Sequence, residues 1–229
     1  ALVRLAPSAY EGQASPLGPN QFIPVMEDTG MIEALSEWVM EEACRQGRAW
    51  LNQGLDFGRM AINLSPSEIR RGRVVERLTA ILERTGLPPE RLEIEITESG
   101  LMESGAGVEQ FLQSLHAMGV HLSIDDFGTG YSSLAYLKQL PLDQLKIDQS
   151  FVRDVLVDAN AATLARTIVS LADSLELQVI AEGVETLEQR DFLERSGCRY
   201  FQGYYFSRPL PLAALEALLD ERAQPDMEN

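Results

Sequence analysis

The sequence predicts an α/β fold of the TIM type, a (β/α)8 barrel whose N-terminal strand or strands are missing or truncated. Three observations predict it. Short segments rich in Val, Ile and Leu alternate with amphipathic helical stretches along the chain. The length of 229 residues suits one barrel as a single unit. Polar residues collect where the strand-like segments end, and barrel folds gather their functional groups at that place.

Seven segments read as strands: Leu2–Leu5, Met60–Leu64, Leu92–Ile96, His121–Ile124, Gln144–Ile147, Gln178–Ile180 and Tyr200–Gln202. Helical patterns separate them. Ile32 to Gln53 is amphipathic. Val74 to Thr85 stops at Gly86, with Pro88 beyond it, and Val108 to Met118 stops at Gly119. Ala161 to Leu175 and Leu187 to Ser196 follow, and Leu212 to Ala223 closes the pattern. Alternating β and α segments place helices outside a parallel sheet. A doubly wound open sheet is the alternative architecture. Pro7 to Pro19 reads as one long loop rich in Pro, Gly and Ser. Residues 1–224 form one domain in this reading, with 225–229 as a frayed tail.

Composition excludes several classes. The formal net charge of −16 gives the chain no general attraction for a DNA or RNA polymer, so any phosphate it handles needs another source of positive charge. No apolar run reaches the roughly 18 residues a membrane span needs. The N-terminus is not a signal peptide. Cys44 and Cys198 match neither a zinc site nor a disulfide framework, so reduced cytosolic thiols are expected.

The chemistry lies at the strand ends. Asn63 ends AINLS, Glu95 and Glu98 lie in EIEITES, and Asp125 and Asp126 end HLSIDD. Lys146 and Asp148 end QLKID, Glu182 and Glu185 lie in VIAEGVE, and Gln202 ends YFQG. Any one of these residues is more simply a helix cap or turn former. Six successive strand ends behaving alike are harder to explain by capping. Glu95, Asp125, Asp126, Asp148 and Glu182 with Lys146 carry a formal −4. Such a cluster repels itself in a partly desolvated pocket, and two divalent cations would cancel it. An oxygen-only donor set favours Mg2+ or Mn2+ over Zn2+, and paired ions suit displacement at phosphorus.

Other features point less far. DFGTGYSS has Gly128 and Gly130 after a strand, but it lacks the third glycine of a dinucleotide fingerprint and the lysine of a P-loop. It reads as a flexible active-site loop. His116 and His121 have no His or Cys at ligand spacing and read as structural or exposed. Trp38, Met40 and Trp50 read as core or interface.

The segments FIPVMEDTG, INLSP, LEIEITES, DDFGTGYSSL, LPLDQLKID, AEGVET and QGYYFSRPLP together resemble the motifs of the EAL-domain family, in the family's order and over essentially the whole chain. The resemblance implies a TIM-type barrel that hydrolyses cyclic di-GMP to linear 5′-pGpG in bacterial second-messenger signalling. It implies metal ligands at Asn63, Glu95, Asp125, Asp126 and Glu182. Lys146 would orient the attacking water or stabilise charge at the phosphate, with Asp148 beside it, and Gln202 would contact the metal-bound water network. Glu98 would hold the DFGTGYSS loop, and Glu185 would support the site. Arg4 is similar to an arginine that contacts substrate, and Phe22, Ile23 and Pro24 would line a guanine pocket. Asn63, Asp126 and Gln202 would also face the substrate.

The family's Glu-Ala-Leu signature survives here as Ala1-Leu2, so its Glu, a metal ligand, lies outside the chain. Leu5-Ala6-Pro7 stands where a Trp-containing segment is frequent. The expectation is a longer cytoplasmic protein, possible membrane anchoring included, with sensor or cyclase domains upstream. The resemblance also makes a homodimer an assembly to test for. The alternative function is a non-catalytic cyclic di-GMP receptor. A proton-abstracting, enolase-like metalloenzyme is a third reading, which QGYYFSRP and DDFGTGYSS argue against.

Overall fold

The computed structural model describes residues 2–4, 18–105, 107–130 and 134–223. Helices α1 (Pro19–Thr29) and α2 (Ile32–Asn52) precede strand β1 (Met60–Asn63). Helices α3 (Pro66–Arg71) and α4 (Val74–Thr85) lead to β2 (Leu92–Thr97), and α5 (Glu98–Glu103) and α6 (Val108–Ala117) lead to β3 (His121–Phe127). The short α7 (Leu134–Leu137) precedes β4 (Gln144–Ile147), and α8 (Gln149–Asp154) with α9 (Ala159–Ser174) precedes β5 (Gln178–Ala181). Then come α10 (Leu187–Arg195), β6 (Tyr200–Phe201) and α11 (Leu212–Ala223).

The six strands form one sheet in the order β1-β2-β3-β4-β5-β6, every neighbour parallel. A doubly wound sheet reverses its strand order at a switch point, and this one never does. Strictly consecutive parallel strands wind in one direction, as in a barrel. Among the described residues β1 and β6 remain edges. Residues 2–4 form no strand and pair with neither edge, which corrects the strand expected at Leu2–Leu5; Leu5 lies outside the described residues. A strand is stabilised by its ladder and its packed face, and three residues offer little of either.

Alternation along the strands separates two environments. Ile62, Leu92, Ile94, Ile96, Leu122, Ile124, Leu145 and Ile147 are buried on the helix side, against residues such as Leu78, Ile81, Leu112, Leu115 and Ile168. Each such side chain contributes roughly 1.5–3 kcal/mol by leaving water. The alternate positions include Asn63, Glu93, Glu95, Ser123, Gln144, Lys146 and Gln202 beside the apolar Ala61 and Ile180, so the concave face is mainly polar where barrels are commonly filled by branched apolar layers. The helical layer returns on itself, because Glu216 of α11 accepts from Trp50 Nε1 of α2 at 2.8 Å and from Gln46 Nε2 at 3.3 Å.

The long helices lie where the periodicity places them, within two residues at each end. Pro19 opens α1, so the loop expected from Pro7 to Pro19 ends before it; residues 7–17 and the tail at 225–229 lie outside the described residues. Met40 and Trp50 are core, whereas Trp38 is 59% exposed and is not. Both cysteines are buried and free.

The loop after β6 is stitched to the loop after β5. Val184 N donates to Gln202 O at 3.0 Å, and Tyr205 N donates to Val184 O at 3.0 Å. A Cβ on Gly203 would lie 2.1 Å from Val184 O and 2.3 Å from Val184 N, so only glycine fits this approach. Gly203→Ala should therefore destabilise the domain by about 2 kcal/mol, lowering Tm by roughly 4–8 °C in a chain of this size. A calorimetric Tm within 1 °C of the wild type would show that the backbone contact is not needed.

Candidate active site at the carboxyl ends of the strands

The site is built on Lys146, only 4% exposed and set in β4 between Leu145 and Ile147. Its Nζ lies 2.6 Å from Glu95 Oε1, 3.2 Å from Asp125 Oδ1 and 2.5 Å from Glu182 Oε1. Three strands therefore deliver one carboxylate each to one ammonium. Burial works to lower the Lys146 pKa, but Glu95, Glu182 and Asp125 together hold it above the ordinary lysine range. Asn63 Nδ2 donates to the other oxygen of Glu95 at 2.9 Å, so β1 joins the same network.

Consecutive residues of a regular strand point to opposite faces, so Asp125 and Asp126 could not both serve one site. The β3–β4 register shifts between Ile124 and Phe127, and Asp126 has a left-handed backbone with φ 53°. A bulge of this kind re-aims a side chain, and Asp is one of the residues that tolerates the left-handed region. Ligand oxygens of Asp125, Asp126 and Glu182 consequently lie within 4.8 Å of one another. Burial pushes Asp126 up to about 6, with repulsion from Asp125 and Asp148 added. Burial likewise pushes Glu182 up to about 7; Lys146 pulls against this, and Asp125 and Glu95 push with it. Glu182 Oε1 is buried and accepts no aligned hydrogen bond, even from the nearby ammonium.

These observations test whether a divalent cation fits. The donors are all carboxylate or amide oxygens, a set that suits hard cations. Burial holds two of the acids, Asp126 and Glu182, protonated above the ordinary carboxylate range, and added positive charge would favour their ionised forms. The residues fit a cation.

The remaining predicted residues fall into place unevenly. Asp148 is buried and caps α8 by accepting from Ser150 N at 3.0 Å and from the Ser150 hydroxyl, so the capping reading holds alongside its contact with Asp126. Glu98 is 2% exposed, and its Oε2 accepts from Gly128 N at 2.9 Å and Gly130 N at 3.1 Å. This ties α5 to the loop after β3; residues 131–133 of that loop lie outside the described residues. Gln202 lines the concave cavity of about 640 Å3 together with Ala61, Glu93, Glu95, Lys146 and Ile180. Glu185 is exposed where the chain enters α10, and its charge acts on Arg153. Phe22, Ile23 and Pro24 lie in α1, with Phe22 buried and Pro24 exposed. Arg4 is exposed and donates to Val3 O.

The structure adds residues that the sequence reading passed over. Gln144 Nε2 donates to Glu93 Oε1 at 2.9 Å and to Ser123 Oγ at 3.3 Å, forming a polar floor beneath the lysine cluster. The signal was available as polar residues two positions before Glu95, Asp125 and Lys146. His121 is structural as expected, with its Nδ1 3.5 Å from Asp143 Oδ2.

A singly wound parallel sheet with helices outside, and an oxygen-rich acidic centre around one buried lysine at the strand ends, define a barrel-type α/β domain with a group of acids that could hold a cation. Residues 8–209 match the model of the EAL domain, and the chain belongs to that family. It is 47% identical over 203 residues to the cyclic di-GMP phosphodiesterase NbdA of Pseudomonas aeruginosa, covering 89% of this chain and 26% of NbdA. It is 45% identical to the bifunctional diguanylate cyclase/cyclic di-GMP phosphodiesterase MucR of the same organism, covering 87% of this chain and 29% of MucR. The chain thus spans between a quarter and a third of these relatives. Its fold superposes on the PaMucR phosphodiesterase in complex with c-di-GMP with a TM-score of 0.88 at 43% identity, covering 94% of this chain and 85% of that one. A calcium/cy-diGMP complex of Klebsiella pneumoniae BlrP1 superposes with a TM-score of 0.67 at 33% identity, covering 77% of this chain and 43% of that one.

Two outcomes follow from the site. Asp126 and Glu182 have folded pKa values above the ordinary carboxylate value of about 4. At these two groups the cation-free folded chain therefore binds more protons than the unfolded chain between about pH 4 and 7, and the stability they contribute is lost as pH rises through that window. Saturating Mn2+ should raise Tm at pH 7.5 by roughly 5–10 °C and much less at pH 5, since protonated acids cannot ligate. An equal shift at both pH values in scanning calorimetry would contradict the cluster. Glu98→Ala should speed amide hydrogen exchange at Gly128 and Gly130 by roughly 10-fold or more, the size of one or two charge-assisted hydrogen bonds. Unchanged protection there would show that the loop is held by other contacts.

Proposed function

We propose that the chain is the catalytic domain of a metal-dependent phosphodiesterase that hydrolyses cyclic di-GMP to linear 5′-pGpG. One observation carries the reading: in a chain of the EAL family, an all-oxygen acidic cluster surrounds a permanently charged lysine at the carboxyl ends of the strands. The names of NbdA and MucR support the substrate. The cations in this reading are Mg2+ or Mn2+, two of them, held by Asn63, Glu95, Asp125, Asp126 and Glu182. When bound, they supply the positive charge the carboxylates lack and make water a better nucleophile.

This chain's own residues do the rest. A lysine whose pKa is raised by the carboxylates around it stays charged near neutrality, so Lys146 is not suited to accept the proton of an attacking water. Its role is to orient that water or to oppose the negative charge that grows on the phosphoryl oxygens as the new P–O bond forms and the P–O3′ bond breaks. Asp126, facing Asp148, is the carboxylate suited to take the water's proton; the departing O3′ takes a proton from solvent, and Asp126 returns its own to solvent, so the step balances. Gln202 orients water from the cavity wall, Glu98 holds the loop after β3 beside the substrate through Gly128 and Gly130, and Glu185 supports the site indirectly, from the turn that enters α10. Arg4, Phe22, Ile23 and Pro24 contact the nucleotide, with Asn63 and Asp126 facing its phosphate.

In this reading the domain operates in the cytoplasm with sensor or cyclase domains upstream, since the relatives extend well beyond it, and a homodimer is the assembly to test by light scattering. Among the described residues no helix is long and apolar enough to cross a membrane. The reading is tested by chromatography of cyclic di-GMP and its linear product. Asp125→Ala or chelation should lower turnover by roughly 100-fold or more. Lys146→Ala should lower kcat by a comparable factor while leaving KM within about threefold, because its contact strengthens only in the transition state. Undiminished hydrolysis by either variant, or by chelated protein, would rule the assignment out.

A further inference from the structure

Two motif residues remain unused by this reading, Glu27 of FIPVMEDTG and Ser65 of INLSP, and they meet. Ser65 Oγ donates to Glu27 Oε1 at 2.5 Å, joining residues 38 apart in the chain. Glu27 lies on α1, one turn after Ile23 and therefore on the same face of that helix. Ser65 lies two residues after Asn63, at the turn from β1 into α3. Ser65 is itself fixed from the other side: its backbone N–H donates to Glu68 Oε2 at 3.2 Å, and Glu68 is 1% exposed.

Among the described residues, α1 has few other ties besides its packing on α2. It spans 11 residues, and Phe22 is its one buried side chain. Pro24 inside it removes a helical hydrogen bond. Among the described residues, Ser65 to Glu27 is the one side-chain hydrogen bond that leaves the helix. A short, interrupted helix with a small apolar anchor takes its orientation from such a contact.

We propose that Glu27 is a positioning residue that clamps α1, and with it the Ile23 face, to the turn that follows the strand end at Asn63. The base-contacting helix and the phosphate-facing strand end are then held at one spacing. The clamp rests on the phosphodiesterase reading above, because it matters only if α1 meets the guanine. It acts on guanine-containing substrate and not on the hydrolytic centre itself. A phosphodiester without a guanine does not feel it.

The test compares cyclic di-GMP with bis(p-nitrophenyl) phosphate in Mn2+, using the wild type, Glu27→Ala and Glu27→Gln. Glu27→Ala should raise KM for cyclic di-GMP about tenfold, the lower end of what one charge-assisted hydrogen bond contributes, and leave kcat/KM for bis(p-nitrophenyl) phosphate within twofold. Glu27→Gln keeps an oxygen that accepts from Ser65 and should restore KM to within about threefold of the wild type. A general loss of structure would lower both activities together and would overturn the proposal, as would an unchanged KM in Glu27→Ala or a failure of Gln to rescue. Failure of the underlying reading shows elsewhere: a wild type that cleaves bis(p-nitrophenyl) phosphate but not cyclic di-GMP removes the substrate and the clamp's role with it.

Discussion

The buried ammonium of Lys146 is the constraint on which the rest of the architecture depends. A lone charge in the middle of a sheet is prohibitively costly unless anions meet it. Glu95, Asp125 and Glu182 do so from three different strands. That requirement fixes the concave face as polar, and the polarity propagates downwards: Glu93, Ser123 and Gln144 satisfy one another beneath the lysine instead of forming an apolar layer. The apolar stabilisation comes from the helix side of the sheet, where Ile94, Leu122, Ile124, Leu145 and Ile147 are fully covered. The two sides of one strand thus divide the work, one holding the fold together and the other holding charge.

A second set of constraints comes from backbone geometry. The rim needs functional groups closer together than regular strands and turns allow. The bulge in β3 with the left-handed Asp126 turns two consecutive acids to one use. Gly203 lets the loop after β6 reach Val184, and Gly183, whose Cβ would lie 2.6 Å from Gln149 Cβ, lets the Glu182 loop approach α8 behind Asp148. In each case a conformation or a close approach closed to most side chains brings two elements together at the carboxyl ends of the strands. Strain of this kind persists only where surrounding structure enforces it, and here it coincides with the acidic centre.

Much of this was legible in the sequence because strands buried on one face and charged on the other print their pattern directly. Lys146 between Leu145 and Ile147, and Glu95 between Ile94 and Ile96, are such prints. The long helices announced themselves through periodicity and terminal glycines such as Gly86. The short helices did not, because α3, α5 and α8 have six residues each, too few for a period to show. Helix α1 was hidden by Pro24, which reads as an interruption. Distances between elements were not legible at all: nothing local says that Glu27 meets Ser65, or that Glu216 closes the helical layer on Trp50. Asp148 carried two readings, cap and site residue, and the structure grants the cap directly while placing the carboxylate beside Asp126.

The charge balance supplies the last step. With a formal net charge of −16, the chain repels any phosphodiester at long range, and the one cation at the centre of the site is already surrounded by three carboxylates. Lys146 alone therefore cannot draw an anionic substrate into the cavity. If added cations make the site attractive to phosphate, then by linkage phosphate makes the site attractive to cations by the same factor. The same acids that are hard to ionise in the cation-free chain are those that would bind the cation, so proton release, cation uptake and substrate affinity belong to one coupled equilibrium. Under the proposed function, the excess of carboxylates would then be no obstacle to binding an anion; it would make binding conditional on the cation.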